Sequence, residues 1–371
     1  TVTMNKTITA LAIMMASFAA NASVLPETPV PFKSGTGAID NDTVYIGLGS
    51  AGTAWYKLDT QAKVKKWTAL AAFPGGPRDQ ATSAFIDGNL YVFGGIGKNS
   101  EGLTQVFNDV HKYNPKTNSW VKLMSHAPMG MAGHVTFVHN GKAYVTGGVN
   151  QNIFNGYFED LNEAGKDSTA IDKINAHYFD KKAEDYFFNK FLLSFDPSTQ
   201  QWSYAGESPW YGTAGAAVVN KGDKTWLING EAKPGLRTDA VFELDFTGNN
   251  LKWNKLAPVS SPDGVAGGFA GISNDSLIFA GGAGFKGSRE NYQNGKNYAH
   301  EGLKKSYSAD IHLWHNGKWD KSGELSQGRA YGVSLPWNNS LLIIGGETAG
   351  GKAVTDSVLI SVKDNKVTVQ N

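Results

Sequence analysis

A pair of adjacent glycines recurs along this chain, each time at the end of a short β-branched or aromatic run. Gly88-Asn89-Leu90-Tyr91-Val92-Phe93 ends at Gly94-Gly95, and Ala143-Tyr144-Val145 leads to Gly147-Gly148. Leu277-Ile278-Phe279 leads to Gly281-Gly282, and Leu342-Ile343-Ile344 to Gly345-Gly346. Trp226-Leu227-Ile228 ends in the variant Asn229-Gly230, and Tyr45-Ile46-Gly47-Leu48-Gly49 is a degenerate copy. Downstream of each lies another strand and then, in most copies, a tryptophan: Asp109 and Trp120, Phe195 and Trp202, Asp239 and Trp253, Asp310 and Trp319. A unit repeated this often is a small sheet that cannot bury its own faces, so its copies must stack on one another. An ordinary β-sandwich does not explain the repetition.

The diglycine with spaced aromatics resembles the Kelch repeat, a four-stranded blade. The resemblance covers nearly all of the chain after the N-terminus. It implies an all-β fold, a six-bladed Kelch-type β-propeller in which blades stack around an axis and leave only short outer edges. The glycines let the backbone crowd near the axis, and the tryptophans fill the space between blades. Closure is expected to draw on both termini, with Val24–Phe32 and Val358–Val369 sharing the last blade.

The formal net charge of +1 gives no reason to expect nucleic acid or an anionic membrane surface as partner. Cysteine is absent, which removes disulfides, zinc–thiolate sites and thiol nucleophiles. Lys6, the apolar run Ile8–Ala19 and Ala20-Asn21-Ala22 have the form of a secretory signal with its cleavage site. Residues 1–22 are therefore expected to be a signal peptide with a short extension before Met4, and 23–371 a single exported domain, with no membrane association after cleavage.

In such a fold the loop entering the first strand of a blade and the loop after its second strand lie on one face. Counting the same distance back from the first glycine of each pair gives Arg78, Met131, Val265 and Arg329. Two arginines at matched positions are candidates to bind an anionic substrate, though one alone would as readily brace a turn. Just past the glycines stand Glu231 in blade four and Glu347 in blade six, and the short link to Asp239 keeps Glu231 close to Arg237. His134 starts the first strand of blade three and can reach the mouth. The same connection is much longer in blade three (Gly148 to Phe191) and blade five (Gly282 to Asp310). These inserts are expected to be partly helical and to act as lids or contact surfaces. The second carries Tyr292 and Asn294, residue types that suit a sugar's apolar faces and hydroxyls.

No histidine pair has metal-binding spacing, no phosphate loop joins a strand to a helix, and no Gly-x-Ser-x-Gly elbow occurs. Acid–base chemistry on a small anionic sugar remains open, beside non-catalytic readings. The signal-like N-terminus, six degenerate blades, Asn229-Gly230-Glu231 with Arg237 six residues on, and the long inserts together resemble the bacterial N-acetylneuraminate epimerase (sialic acid mutarotase) family along the whole chain. The resemblance implies a periplasmic, dimeric isomerase that needs no metal or cofactor and interconverts the sugar's anomers. It also implies that Glu231 is the essential acid–base group and Arg237 the essential arginine. Arg78, Arg329, Glu347, His134, Tyr292 and Asn294 rest on the positional argument above, with Glu347 a candidate for a hydroxyl contact or a second proton carrier. The competing readings are a non-catalytic, lectin-like propeller that captures an acidic sugar, and a protein-binding scaffold. The tyrosine nucleophile and Ser-x-Asp boxes of hydrolytic sialidases are not visible.

Overall fold

The computed structural model describes residues 24–259, 261 and 263–371, and the expected signal segment lies outside them. Six antiparallel sheets follow one another along the chain. Blade one pairs Thr36–Asp40, Thr43–Gly47, Trp55–Asp59 and Thr68–Ala69. Blade six pairs Val333–Trp337, Ser340–Ile344, Ser357–Lys363 and Lys366–Gln370. Every residue of Ser340–Ile344 is buried, whereas Lys366–Gln370 alternates exposed and half-buried. That gradient explains the continuous apolar runs in the sequence: a second strand is covered by neighbouring blades on both faces, an outer strand on little more than one.

The diglycines have a specific task. The N–H of the second glycine donates to a carbonyl at the entrance of the next blade: Gly95 to Met131 (2.6 Å), Gly148 to Thr213, Gly282 to Arg329 and Gly346 to Phe32 (each 2.8 Å). The first glycine lies against the same carbonyl. A Cβ on Gly345, at φ +65°, would stand 2.3 Å from the Phe32 oxygen. The outer-strand tryptophans lace the rim in the opposite sense, each reaching back to the end of the preceding blade, Trp120 Nε1 donating to Ala71 O at 2.8 Å and Trp319 Nε1 to Ala257 O at 3.1 Å.

Closure differs from the sequence expectation. The C-terminal segment supplies all four strands of blade six, because Asp364-Asn365 turns the chain straight into Lys366–Gln370. The N-terminal segment adds no strand. Leu25 and Phe32 instead fill the seam between blades one and six, packed with Ile46, Leu58, Leu342 and Ile344. The Gly346–Phe32 bond completes the circle.

A second circle lies inside the first. Gln80 N–H donates to Ser34 O, Ser34 to Tyr331, Tyr331 to Gly267, Gly267 to Gly215 and Gly215 to Gly133, at 2.8–2.9 Å. All six residues have left-handed φ, from +57° to +72°. Three are glycine, for which this is free; tyrosine there costs about 1–3 kcal/mol.

The blade-three insert forms α1 (Gln151–Ala164) and α2 (Ser168–Phe179), and the blade-five insert the short α3 (Ser288–Gln293). Asn150 and Asp167 cap α1 and α2 through side-chain oxygens.

Candidate active site at the propeller mouth

Directly after Gly230, blade four makes a small hairpin, Glu231–Lys233 against Leu236–Arg237, turning at Pro234-Gly235. Its register places Glu231 opposite Arg237. The Arg237 guanidinium is fixed on three sides: Nη1 donates to Glu231 Oε2 (2.7 Å), Nε to Ala283 O (3.1 Å) and Nη2 to Tyr331 Oη (3.0 Å). Phe285 lies 5.1 Å from the guanidinium carbon. Two of the five N–H groups are left for a ligand. Glu231 is enclosed by protein yet keeps a fifth of its side chain accessible, as at the bottom of a funnel. Burial raises its pKa above the ordinary carboxylate value, while the Arg237 charge and the Gly235 N–H pull it back. The result is a held, partly desolvated carboxylate, more basic than a free glutamate.

Glu347 lies in a second cluster, with Lys33 and Lys305 ammonium groups each 3.6 Å away. Burial lowers the Lys305 pKa, offset by Glu347. Burial, with Glu347 beside it, pushes Tyr307 up to about 12. Lys305 Nζ sits 4.7 Å from the centre of the Tyr331 ring, which joins the two clusters.

The inserts are bolted together over this funnel by Lys233. It is fully buried, and its ammonium donates to the carbonyls of Phe179 and Lys181 (2.8 and 2.7 Å) and of Asn297. Burial lowers its pKa to about 8. Phe179 packs on Tyr298 and His300, and the Ala183 N–H donates to Tyr292 Oη at 3.0 Å. His300 Nδ1 occupies the space a Cβ on Gly235 would need. Burial and the nearby Arg237 and Lys233 charges lower its pKa to about 4, so the ring is neutral.

Glu231 and Arg237 are thus brought together, with Glu347 in the neighbouring cluster. The other candidates are employed elsewhere. Arg78 is buried, ion-paired to Asp109 at 2.7 Å, hydrogen-bonded to Gly94 O and Gly75 O, and held between Phe73 and Phe107. Arg329 is 1% exposed and makes two bonds to Asp356, at 2.9 and 3.0 Å, and one to Gly345 O. The matched positions reflect a matched structural duty: each arginine braces the diglycine turn of its own blade. His134 is buried between blades, its Nε2 bonded to Thr82 Oγ1 at 2.7 Å, and burial lowers its pKa to about 3. Tyr292 ties the inserts together, and Asn294 is an exposed residue at the end of α3. A cavity of about 1200 Å³ lies on the flank of the hairpin between Trp210, Tyr211 and Arg289; Arg237 is on its wall and Glu231 is not. Among the described residues no three His, Asp or Glu side chains are grouped to hold a metal ion.

Sequence reasoning passed over Tyr331, Lys305 and the duty of Lys233. Tyr331 had a signal. Met131-Ala132-Gly133, Thr213-Ala214-Gly215 and Val265-Ala266-Gly267 repeat one pattern, and Arg329-Ala330-Tyr331 puts a tyrosine where the others have glycine. Lys305 and Lys233 had none, because an insert has no counterpart in the other blades.

Comparison with known proteins agrees with this architecture. A family model of N-acetylneuraminate epimerase matches residues 25–369. The N-acetylneuraminate epimerase of Escherichia coli (strain K12) is 99% identical over 368 residues, covering 99% of this chain and 100% of that protein. That of Shigella flexneri is likewise 99% identical over 368 residues, with the same coverage. A solved structure described as that of YjhT superposes with a TM-score of 0.93 at 99% identity, covering 94% of this chain and all of that one. The chain therefore belongs to the N-acetylneuraminate epimerase family and is an enzyme, an isomerase built on a six-bladed β-propeller.

Proposed function

We propose that the enzyme interconverts the α and β anomers of N-acetylneuraminic acid, with Glu231 as the acid–base group and Arg237 as its electrostatic partner. The observation that carries this is the hairpin of blade four, which holds a raised-pKa carboxylate against a guanidinium with N–H groups to spare. Glu231 takes the proton of the anomeric hydroxyl as the hemiketal opens. The open-chain ketone turns, closes on its other face, and recovers the proton. Arg237 stabilises charge on the opening oxygens, and its free donors, with Lys305, face the substrate carboxylate. The chemistry asks nothing of a metal or cofactor. Glu347 orders Lys305 and Lys33 at the rim. The reading extends to an exported, periplasmic domain of residues 23–371, supported by the signal-like N-terminal sequence, and to a homodimer, supported by the family resemblance.

The test is proton NMR of freshly dissolved β-anomer or freshly released α-anomer. Wild type should reach anomeric equilibrium far faster than buffer, and Glu231→Gln should lose at least about 10²-fold of that rate. Saturable binding with no acceleration would instead establish the lectin-like reading.

A further inference from the structure

Ring opening moves two protons at two oxygens bonded to one carbon. The anomeric hydroxyl loses a proton while the ring oxygen gains one, so a base and an acid must stand side by side. Arg237 presents such a pair. Its Nη1 holds Glu231 Oε2 at 2.7 Å, and its Nη2 holds Tyr331 Oη at 3.0 Å. One rigid, planar guanidinium thus fixes both the carboxylate and the phenol. The phenol oxygen accepts from Arg237, which leaves its own O–H free: among the described residues no protein group accepts it.

The fold does not ask for a tyrosine here. The equivalent position is glycine in blades three, four and five, and Tyr331 holds φ +58° to occupy it. The adjacent ring member, Gly267, is kept bare: a Cβ there would stand 2.5 Å from the Tyr331 ring. Ser34 and Gln80 hold the same φ in blades one and two, so what sets Tyr331 apart is its side chain, a ring packed over Gly267 with its hydroxyl bonded to Arg237.

We infer that Tyr331 is the proton donor to the ring oxygen, paired with Glu231 as base; this rests on the mutarotase reading above and deepens it. On opening, the C2–O6 bond breaks and the C2 carbonyl forms. The anomeric proton passes to Glu231 and the phenol proton to O6. The Arg237 guanidinium is already hydrogen-bonded to the oxygen that becomes phenolate. On closure O6 attacks C2, its proton returns to Tyr331, and Glu231 protonates the new anomeric oxygen, so both groups end as they began. Burial raises the phenol pKa and Arg237 pulls it back, which keeps the proton in place between turnovers. Glu347, the other candidate for a second proton carrier, is turned to Lys33 and Lys305.

The test is Tyr331→Phe, which keeps the ring and its packing, assayed beside wild type and Glu231→Gln. We expect kcat to fall about 10²-fold or more with KM within about three-fold. The proton inventory in H2O/D2O mixtures should change from curved, with two protons in flight, to linear, a readout that loss of packing would not move. A Tyr331→Phe enzyme with wild-type kcat and a curved inventory, while Glu231→Gln is inactive, overturns this inference and leaves the mutarotase reading standing. Wild type no faster than buffer overturns both. Should Tyr331→Phe fail to fold, 3-fluorotyrosine at position 331 decides. Its more acidic phenol must lower the pH at which activity declines on the alkaline side, and an unchanged profile refutes the role.

Discussion

Replacing Lys233 by methionine keeps the length and apolar stem of the side chain and removes only its charge and donors. In the folded enzyme that ammonium satisfies the carbonyls of Phe179, Lys181 and Asn297, all under the lid. A buried acceptor left without a donor costs about 1–3 kcal/mol. Asn297 O keeps the Ala299 N–H, so the two carbonyls that lose their donor cost about 2–6 kcal/mol in the closed arrangement. Opening the lid lets water reach those oxygens and relieves the penalty. The expected result is a shift in the local open–closed equilibrium of about 10²-fold rather than unfolding of the propeller. Amide hydrogen exchange reads this directly. Protection over 176–190 and 288–303 should fall by about two decades, while the Ser340–Ile344 amides, in a blade that Lys233 does not touch, stay as in wild type. kcat/KM should fall with the lid. Insert protection within about three-fold of wild type would refute the claim that one lysine bolts the two inserts together.

Three further outcomes follow from the same structure. Because burial raises the Glu231 pKa, the acid limb of kcat/KM should fall above the ordinary glutamate value of 4.5, activity being lost as pH drops and the base gains a proton; a midpoint at or below 4.5 in a pH-rate profile would contradict the burial argument. Arg329→Met leaves the buried Gly345 O without its donor, while the half-exposed Asp356 turns to water, so denaturant titration should show a loss of about 1–3 kcal/mol with KM unchanged, whereas a raised KM would restore this arginine to the binding site. His134 titrates near 3 in the folded chain and near 6.5 unfolded, so the unfolded state binds more protons between those values. Stability should fall as pH drops through that window, by about 1.4 kcal/mol per unit for this group. His134→Gln should flatten the slope measured by thermal unfolding, and an unchanged slope would remove the assignment.

The propeller was legible because its cause is periodic. Each diglycine answers one carbonyl of the next blade, so the same constraint is written into the chain again and again. Closure was misread because Leu25 and Phe32 act through packing, and an apolar run does not say whether it pairs or packs. The pairing of Glu231 with Arg237 was legible because both sit on one hairpin, close in sequence as in space. Arg78 and Arg329 were misjudged because a position counted along the chain fixes the backbone and not where a long side chain ends. Asp109 and Asp356, at equivalent positions in their own blades, were the sign that both arginines were already paired.

The inner circle of backbone bonds has a break. It runs from Gln80 through Ser34, Tyr331, Gly267 and Gly215 to Gly133, and no bond joins Gly133 back to Gln80. The molecule is a split washer, with its gap between blades two and three. Outside it the Gly95–Met131 bond still joins the two blades; at the level of the inner circle side chains do so, Thr82 reaching His134 at 2.7 Å and Thr136 at 2.6 Å. The break in the inner circle is therefore acid-sensitive, since its clasp is an imidazole that burial keeps neutral. A washer sprung at its gap loosens at one joint and leaves the far side intact, where Tyr331, Gly267 and Gly215 frame the site. Acid should thus pry the enzyme apart from the side away from its chemistry.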